Sequence, residues 1–460
     1  MREDTPSMRG KLGDVHQICA NRYTKYAWKT ARLHSGLWIF AFGRMRFPIR
    51  CPSTQNSINY SGEKGAFEEL FGLLKADILR VSRLCENLEH GQTNVAVAQH
   101  SRQLKRGMCM ECFHIDESGY TGFDLLNPEQ RFQGAAAVDI SDDEAARLIR
   151  ECFPKLQASE LKYHALARRP GYRKPLMDLQ CALLSQHKCV TYVCDKRFLL
   201  SLMLLEYAAE PYYYARSVDF YKDGLNYSLA SLLYKAGPTL LGKTEFEDML
   251  VAFQRAVKEK TPQALGAMVR VVRKLKWRKL PEALGPLALG APECLSAVAN
   301  SVVSTDAAMV VLQSLISRME VMAAGPYRVE HDQSKNLRAY HELLQRYIDH
   351  QDEVEFRMTQ IATMRFPLKL SSVIQIDSKT SAAVQIADVM IGAAIEAVNG
   401  LTGQRTPLLD PQDVLSLYAD DQLIYLVPSI DFEEQKRFRS GTQAGQLIDY
   451  LAKHFTTTTI

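Results

Sequence analysis

Carboxylates at the tip of an apolar run are the first residues of this 460-residue chain whose type and spacing could do chemistry. In "FHIDESGYTG", residues 113–122, Asp116 and Glu117 follow Phe113, His114 and Ile115 and lead into a Ser-Gly-Tyr-Thr-Gly turn. Adjacent acids there serve either as hydrogen-bonding groups of the turn or as oxygen ligands for a hard divalent cation. A second candidate is "SAAVQIADVMIGAAIEAVNG", residues 381–400. Seventeen residues from Ala382 to Val398 are nearly all apolar, so most of such a helix must be buried. Gln385, Asp388, Gly392 and Glu396 nevertheless recur at spacings of three and four and form one narrow polar seam. That seam either faces water or meets a partner, because burying an unpaired charge is strongly unfavourable.

Other chemistries have less behind them. Ser118 sits in a Ser-Gly turn without the G-x-S-x-G surround of a nucleophile elbow. "GPTLLGKT", residues 237–244, fits the phosphate-loop string, but the residues before it are apolar at helical spacing, so a helix-to-helix turn competes with nucleotide binding. The 10 cysteines are scattered, and Cys109 and Cys112 form a lone CxxC with no second CxxC or HxxxH to complete a zinc site. Reduced, structural thiols are expected. Two basic stretches remain: "KYHALARRPGYRK" (162–174), with Lys162, Arg168, Arg169, Arg173 and Lys174 beside two tyrosines, and "RVVRKLKWRK" (270–279) around Trp277. Cations interleaved with aromatics suit single-stranded or distorted nucleic acid. A solvated helix face is the competing reading of the second stretch.

The elements that must position these residues fall into blocks. Residues 1–107 hold 17 of the 56 Lys and Arg and 9 of the 52 Asp and Glu, leaving 39 against 43 for the rest, so the basic excess is N-terminal. This N-terminal extension reads as partly disordered, with an amphipathic helix over 66–89 and a short helix over 92–106. Residues 108–197 read as strands and helices in alternation, with strands at "CFHID", "RFQGAAAVDI" and "KCVTYVCDK" and a helix from Asp142 behind a Ser cap. Residues 198–324 read as a large helical insertion or lid with breaks at Gly237-Pro238, Pro262, Pro281 and Pro286. Residues 325–460 return to strands at "PYRVEHDQS" and "LKLSSVIQIDSK", a helix from Leu337 to Ile348 and further helices. With 47% hydrophobic residues and 23% charged, the chain is of the globular class. Neither a bilayer-length apolar run nor a signal-peptide pattern is read, so a cytoplasmic, non-membrane protein is expected.

Taken in order, "IDESGYTG", "ELK" (Glu160 to Lys162), "DSK" (Asp377 to Lys379) and "QIAD" (Gln385 to Asp388) resemble the bacterial domain-of-unknown-function 3800 family over residues 111–400. Tyr120, where that family usually has an acidic or polar residue, and the long helical block are departures from it. The family is grouped with the ribonuclease-H-like fold, so the resemblance implies an α/β protein with a mixed five-stranded sheet bearing an acidic cluster. It also implies Mg²⁺ or Mn²⁺ held by carboxylates of the first strand, a neighbouring strand or helix, and the last helix. Carried onto this chain, Asp116, Glu160, Asp332 and Asp388 become the catalytic set and Asp116, Glu117, Asp332 and Asp388 the metal ligands. Strand alternation puts His114 and Asp116 on one face and Glu117 on the other, which favours Asp116 as the first ligand. Lys162, Arg168, Arg169 and Lys379 are the expected substrate contacts. Two functions follow: a metal-dependent nuclease or related phosphoryl-transfer enzyme acting on nucleic acid, in bacterial defence or a mobile element; or a non-catalytic scaffold that binds a protein or nucleic-acid partner through its helical block.

Overall fold

The computed structural model describes residues 110–158, 160–301, 303–333, 340–359 and 362–455. The helices expected within 1–107 lie outside these residues. Three strands open the fold as an antiparallel meander: β1 (Glu111–Ser118), β2 (Phe132–Asp139) and β3 (Cys189–Asp195). Between β2 and β3 lie α1 (Asp142–Cys152), α2 (Tyr163–Ala167) and α3 (Pro170–Gln186). Ser141 caps α1 by accepting from the Glu144 amide, and three acids fill its first turn, where the helix dipole favours them. Helices follow: α4 (Lys196–Ala208), α5 (Glu210–Tyr214), α6 (Leu225–Leu241), α7 (Lys243–Glu259), α8 (Pro262–Lys274), α9 (Pro281–Leu289), α10 (Pro292–Ala299) and α11 (Ala308–Met322). The chain then runs through β4 (Tyr327–Asp332), α12 (His341–Ile348), β5 (Val354–Arg357), β6 (Thr363–Phe366) and β7 (Leu370–Ile376). It continues with α13 (Ala382–Leu401), α14 (Pro411–Ser416), β8 (Leu423–Leu426), α15 (Phe432–Arg439) and α16 (Ala444–Phe455).

The main sheet has six strands in the order β7-β4-β1-β2-β3-β8, and β5 and β6 form a separate hairpin. Only β2 runs against its neighbours; β1–β4, β4–β7 and β3–β8 are parallel. The sheet is therefore α/β and mixed, as expected, but with a sixth strand. β8 escaped the reading because four residues, "LIYL", are too few for a period of two to stand out.

Each face of the sheet is covered. Phe113, Ile115, Ala135, Ala137, Val190 and Tyr192 point into one continuous core with Leu202, Phe253, Leu284 and Leu315 of the helical block. The block is thus packed on the sheet rather than standing off as a lid. The opposite face receives α13, which lies across β1 and β2. α13 is long and apolar enough to cross a bilayer, yet 72% of its apolar window is buried inside the protein. Gly134 permits its approach: a Cβ there would lie 2.9 Å from the Ile391 side chain and 2.1 Å from the Tyr192 carbonyl oxygen.

Two expected helix breaks are not breaks. Gly237-Pro238 lies inside α6 and Pro286 inside α9. Pro286 removes the N–H that would bond the Glu282 carbonyl, and the Tyr213 hydroxyl donates to that oxygen instead at 3.1 Å. Gly237 lets the Phe246 ring pass where a Cβ would be 2.7 Å from it. The turn between α6 and α7 is Gly242 alone, at φ 101°, with helix on both sides. A phosphate loop needs a strand before it, so the helix-to-helix reading of "GPTLLGKT" holds.

Candidate active site

β1 and β4 are adjacent parallel strands whose partners diverge: β1 continues to β2 on one side, while β4 continues to β7 on the other. The carboxyl ends of strands at such a switch point form a crevice that α/β sheets use for ligands. Asp116 and Asp332 stand there, since Ile115 pairs with His331 and the next step along both strands brings these acids side by side. Asp116 pairs with Ala136 and lies on the face covered by α13, whereas Glu117, the next residue, points to the other face. Glu117, Asp116, His331 and Asp332 line a cavity of about 20 Å³ beneath α11, room for about one water.

The polar seam of α13 does not face water. It receives the segment leading into α2. Gln385 accepts from the Leu161 amide at 2.8 Å and donates to the Ser378 carbonyl at 2.7 Å. Asp388 accepts from the Tyr163 amide at 3.2 Å and faces the Lys162 ammonium at 3.8 Å. At Gly392 the Tyr163 side chain comes so close that an added Cβ would be 2.6 Å from it. Glu396 accepts from the Leu408 amide at 2.7 Å. The docked segment brings Glu160 with it, and Lys162 bridges Glu160 at 2.9 Å.

Ser378, in the turn after β7, ties the pieces together. Its amide donates to Asp332 at 3.0 Å, its hydroxyl to Glu160 at 3.1 Å, and its carbonyl accepts from Gln385. Ser381 caps α13 through the Val384 amide, and Asp142 at the start of α1 accepts from both the Ser381 hydroxyl (2.8 Å) and the Ala383 amide (2.9 Å). Ser378 and Asp142 position the acids, and neither stood out in the sequence. The only sign was that "DSK" and the Ser141 cap put hydroxyls and acids at element ends.

The electrostatics are those of crowded acids. Burial raises the Asp116 carboxyl to about 8, with Asp388 and Asp332 adding to the rise while the Glu117 amide and Lys162 oppose it. Burial raises Asp388 too, against the pull of Lys162 and the Tyr163 amide. Glu160 is held below the usual carboxylate range by its hydrogen bond from Lys162. Asp116, Asp332, Asp388 and Glu160 thus share one site, but with their oxygens spread apart. Groups of three or more Cys, His, Asp or Glu with all ligand atoms within 4.8 Å occur, among the described residues, at Cys112, His114 and Glu330 and at His350, Asp352 and His454. The four acids are not such a group, because Lys162 sits between Glu160 and Asp388 and Asp332 is turned to the Ser378 and Gln333 amides.

Of the expected substrate contacts, Lys162 is inside the site, while Arg168, Arg169 and Lys379 are exposed. Lys379 lies close enough to help depress Glu160. Arg169 lies over the Tyr172 ring at 5.7 Å. A much larger cavity, about 380 Å³, opens elsewhere, between α5, the loop after it and α16. Size alone would favour it, but four acids gathered at a switch point, one of them with a strongly raised carboxyl, are the stronger sign of chemistry.

Comparison with protein-family models, curated proteins and solved structures found no match for this chain.

Proposed function

We propose that this chain is a Mg²⁺- or Mn²⁺-dependent phosphoryl-transfer enzyme of the nuclease class, built on a ribonuclease-H-like sheet and related to the domain-of-unknown-function 3800 family. What supports the fold assignment is the disposition of acids on a mixed sheet: one on the first strand, one on the neighbouring parallel strand, one on the long late helix. The observation that carries the function is Asp116. A carboxyl on a central strand, raised to about 8 by burial and then by Asp388 and Asp332, keeps its proton near neutral pH in the free protein, and a divalent cation is the ligand that would displace that proton and hold the three acids ionised together.

The donors suit a hard cation, being carboxylate oxygens throughout. Their spread does not exclude it, since Mg²⁺ keeps several waters and takes only one or two carboxylates directly. Asp116, Asp332 and Asp388 would hold it, with Glu117 on the opposite face of β1 left out. Bound there, the cation would supply an activated water and charge neutralisation at a leaving oxygen. The residues of the chain do the rest. Lys162 neutralises Asp388 and Glu160 in the free protein and turns to a substrate phosphate when one arrives. Glu160, kept ionised by Lys162, is placed to accept a proton. Arg168, Arg169 and Lys379 provide sequence-independent contacts to a nucleic-acid backbone.

A second reading has one observation in its favour: Asp388 already has the Tyr163 amide and Lys162 as partners, as a structural acid would. On that reading the fold is a scaffold for a protein or nucleic-acid partner. Incubation with single- and double-stranded DNA and RNA under Mg²⁺ and Mn²⁺ separates the two. Cleavage lost in Asp116→Asn supports the enzyme; nucleic-acid retention without cleavage in either protein supports the scaffold.

A further inference from the structure

Away from the acids, a second cluster has no part in the proposed chemistry. His350 and Asp352 lie on the segment between α12 and β5, and His454 lies on α16. Both imidazoles are fixed by aromatic packing. His350 meets Phe366 edge-on at 5.1 Å and Phe455 at 4.9 Å, and His454 stacks on Tyr450 at 4.3 Å. Their nitrogens converge on one carboxylate: His350 Nε2 is 3.6 Å and His454 Nδ1 3.7 Å from Asp352 Oδ2. These separations exceed a hydrogen bond. Zinc bonds of about 2.0–2.1 Å set tetrahedral ligands about 3.3 Å apart, so each imidazole needs a few tenths of an ångström of closure toward Asp352, and all three ligand atoms already lie within 4.8 Å of one another.

We propose that His350, Asp352 and His454 bind one divalent cation of the zinc class and clamp α16 to the segment joining α12 and β5. Two imidazoles with one carboxylate select borderline cations such as Zn²⁺, Co²⁺ or Ni²⁺ over Mg²⁺ and Ca²⁺, which prefer oxygen alone. The Tyr450 hydroxyl lies 2.5 Å from His350 Nε2 and 3.2 Å from Asp352 Oδ2. On binding it keeps the carboxylate as its acceptor and orients it, as outer partners of metal ligands do. The other convergent group is less suited. At Cys112, His114 and Glu330, the Arg328 guanidinium donates to the Cys112 sulfur at 3.3 Å and pairs with Glu330 at 3.0 Å, so a cation already occupies that corner.

The test is calorimetric titration of the full chain with Zn²⁺ in saturating Mg²⁺, alongside Asp352→Asn, His454→Gln and, as a control, Asp388→Asn. Asp352 is 60% exposed, so its replacement leaves folding intact. The expected result is one zinc per chain, bound at least tenfold more weakly in Asp352→Asn and His454→Gln and unchanged in Asp388→Asn. A zinc-induced rise in melting temperature should vanish with the first two. Co²⁺ should give visible bands without an intense near-ultraviolet thiolate band. Unchanged zinc binding in both variants, loss in Asp388→Asn alone, or a thiolate band each overturns the proposal.

Discussion

Replacing Asp388 with Asn removes one charge from the acid cluster and keeps its shape. In the wild type, Asp116 binds its proton in the folded state up to about 8 and in the unfolded state only to about its ordinary 3.8. A carboxyl raised in this way gives its full stabilisation below the unfolded value and loses it as pH rises through the folded one. Between pH 4 and 8 Asp116 holds its proton in the folded chain and not in the unfolded, so its contribution to stability falls across that window. The separation corresponds to about 6 kcal/mol as an order of magnitude, with burial the largest cause and Asp388 the next. Asp388→Asn removes the Asp388 share and flattens the slope. Its own losses are small: the amide oxygen still accepts from Tyr163, and the pair with Lys162, 44% exposed, is worth about 0.2–1 kcal/mol. Urea unfolding at half-unit steps from pH 4 to 8, without divalent ions, should give a shallower decline for the variant and equal or higher stability at pH 8. Adding Mg²⁺ or Mn²⁺ should raise wild-type stability most at pH 8, where the ligands are ionised, and raise the variant less. A wild type with no decline over this range, or a variant with the same slope, would refute the account of Asp116. A variant less stable by more than about 3 kcal/mol at pH 8 would mark Asp388 as a structural acid whose removal strands a buried partner.

Other consequences can be checked in parallel. Gly392→Ala drives a methyl into the Tyr163 side chain and should cost about 1–3 kcal/mol in urea unfolding, with metal-dependent activity falling as the segment carrying Glu160 and Lys162 is displaced. Lys162→Met removes the ammonium shared by Glu160 and Asp388, so Mn²⁺ affinity by calorimetry should rise while cleavage falls, and unfolding should shift by no more than about 1 kcal/mol. Tyr120→Phe loses the hydroxyl donated to Asp306 at 2.9 Å and should destabilise by about 0.5–1.5 kcal/mol without altering metal affinity.

How much of this was legible in the sequence follows from the range of the interactions involved. β1 to β4, β7 and α13 carry their burial in their own residues: "FQGAAAVD" is buried at all but its last position, and α13 has few polar positions to spare. Elements whose identity depends on a neighbour were not readable. β8 is a strand because β3 offers it an edge, and α9 survives Pro286 because Tyr213, from α5, satisfies the carbonyl that the proline leaves open. The same division runs through the sites. Asp116 announced itself by standing at the tip of an apolar run. Cys112, His114 and Glu330 could not, since the third member is on a strand more than two hundred residues away, and the lone CxxC pointed to no partner.

The seam of α13 shows most plainly why a pattern alone leaves function open. Its spacing requires only that something polar meet Gln385, Asp388 and Glu396. Water would do, and so would a metal. What meets them is backbone: the Leu161 and Tyr163 amides and the Leu408 amide, none of which has any signature in side-chain type. The docking fixes Glu160 and Lys162 over the carboxyl ends of β1 and β4, so a seam that is structural along most of its length is also what assembles the acid site. Asp388 does both jobs, one oxygen taking the Tyr163 amide while the other faces Lys162. The oxygen toward Lys162 is therefore the one a divalent cation would have to capture, and exchange of one cation for another is the event on which the proposed activity turns.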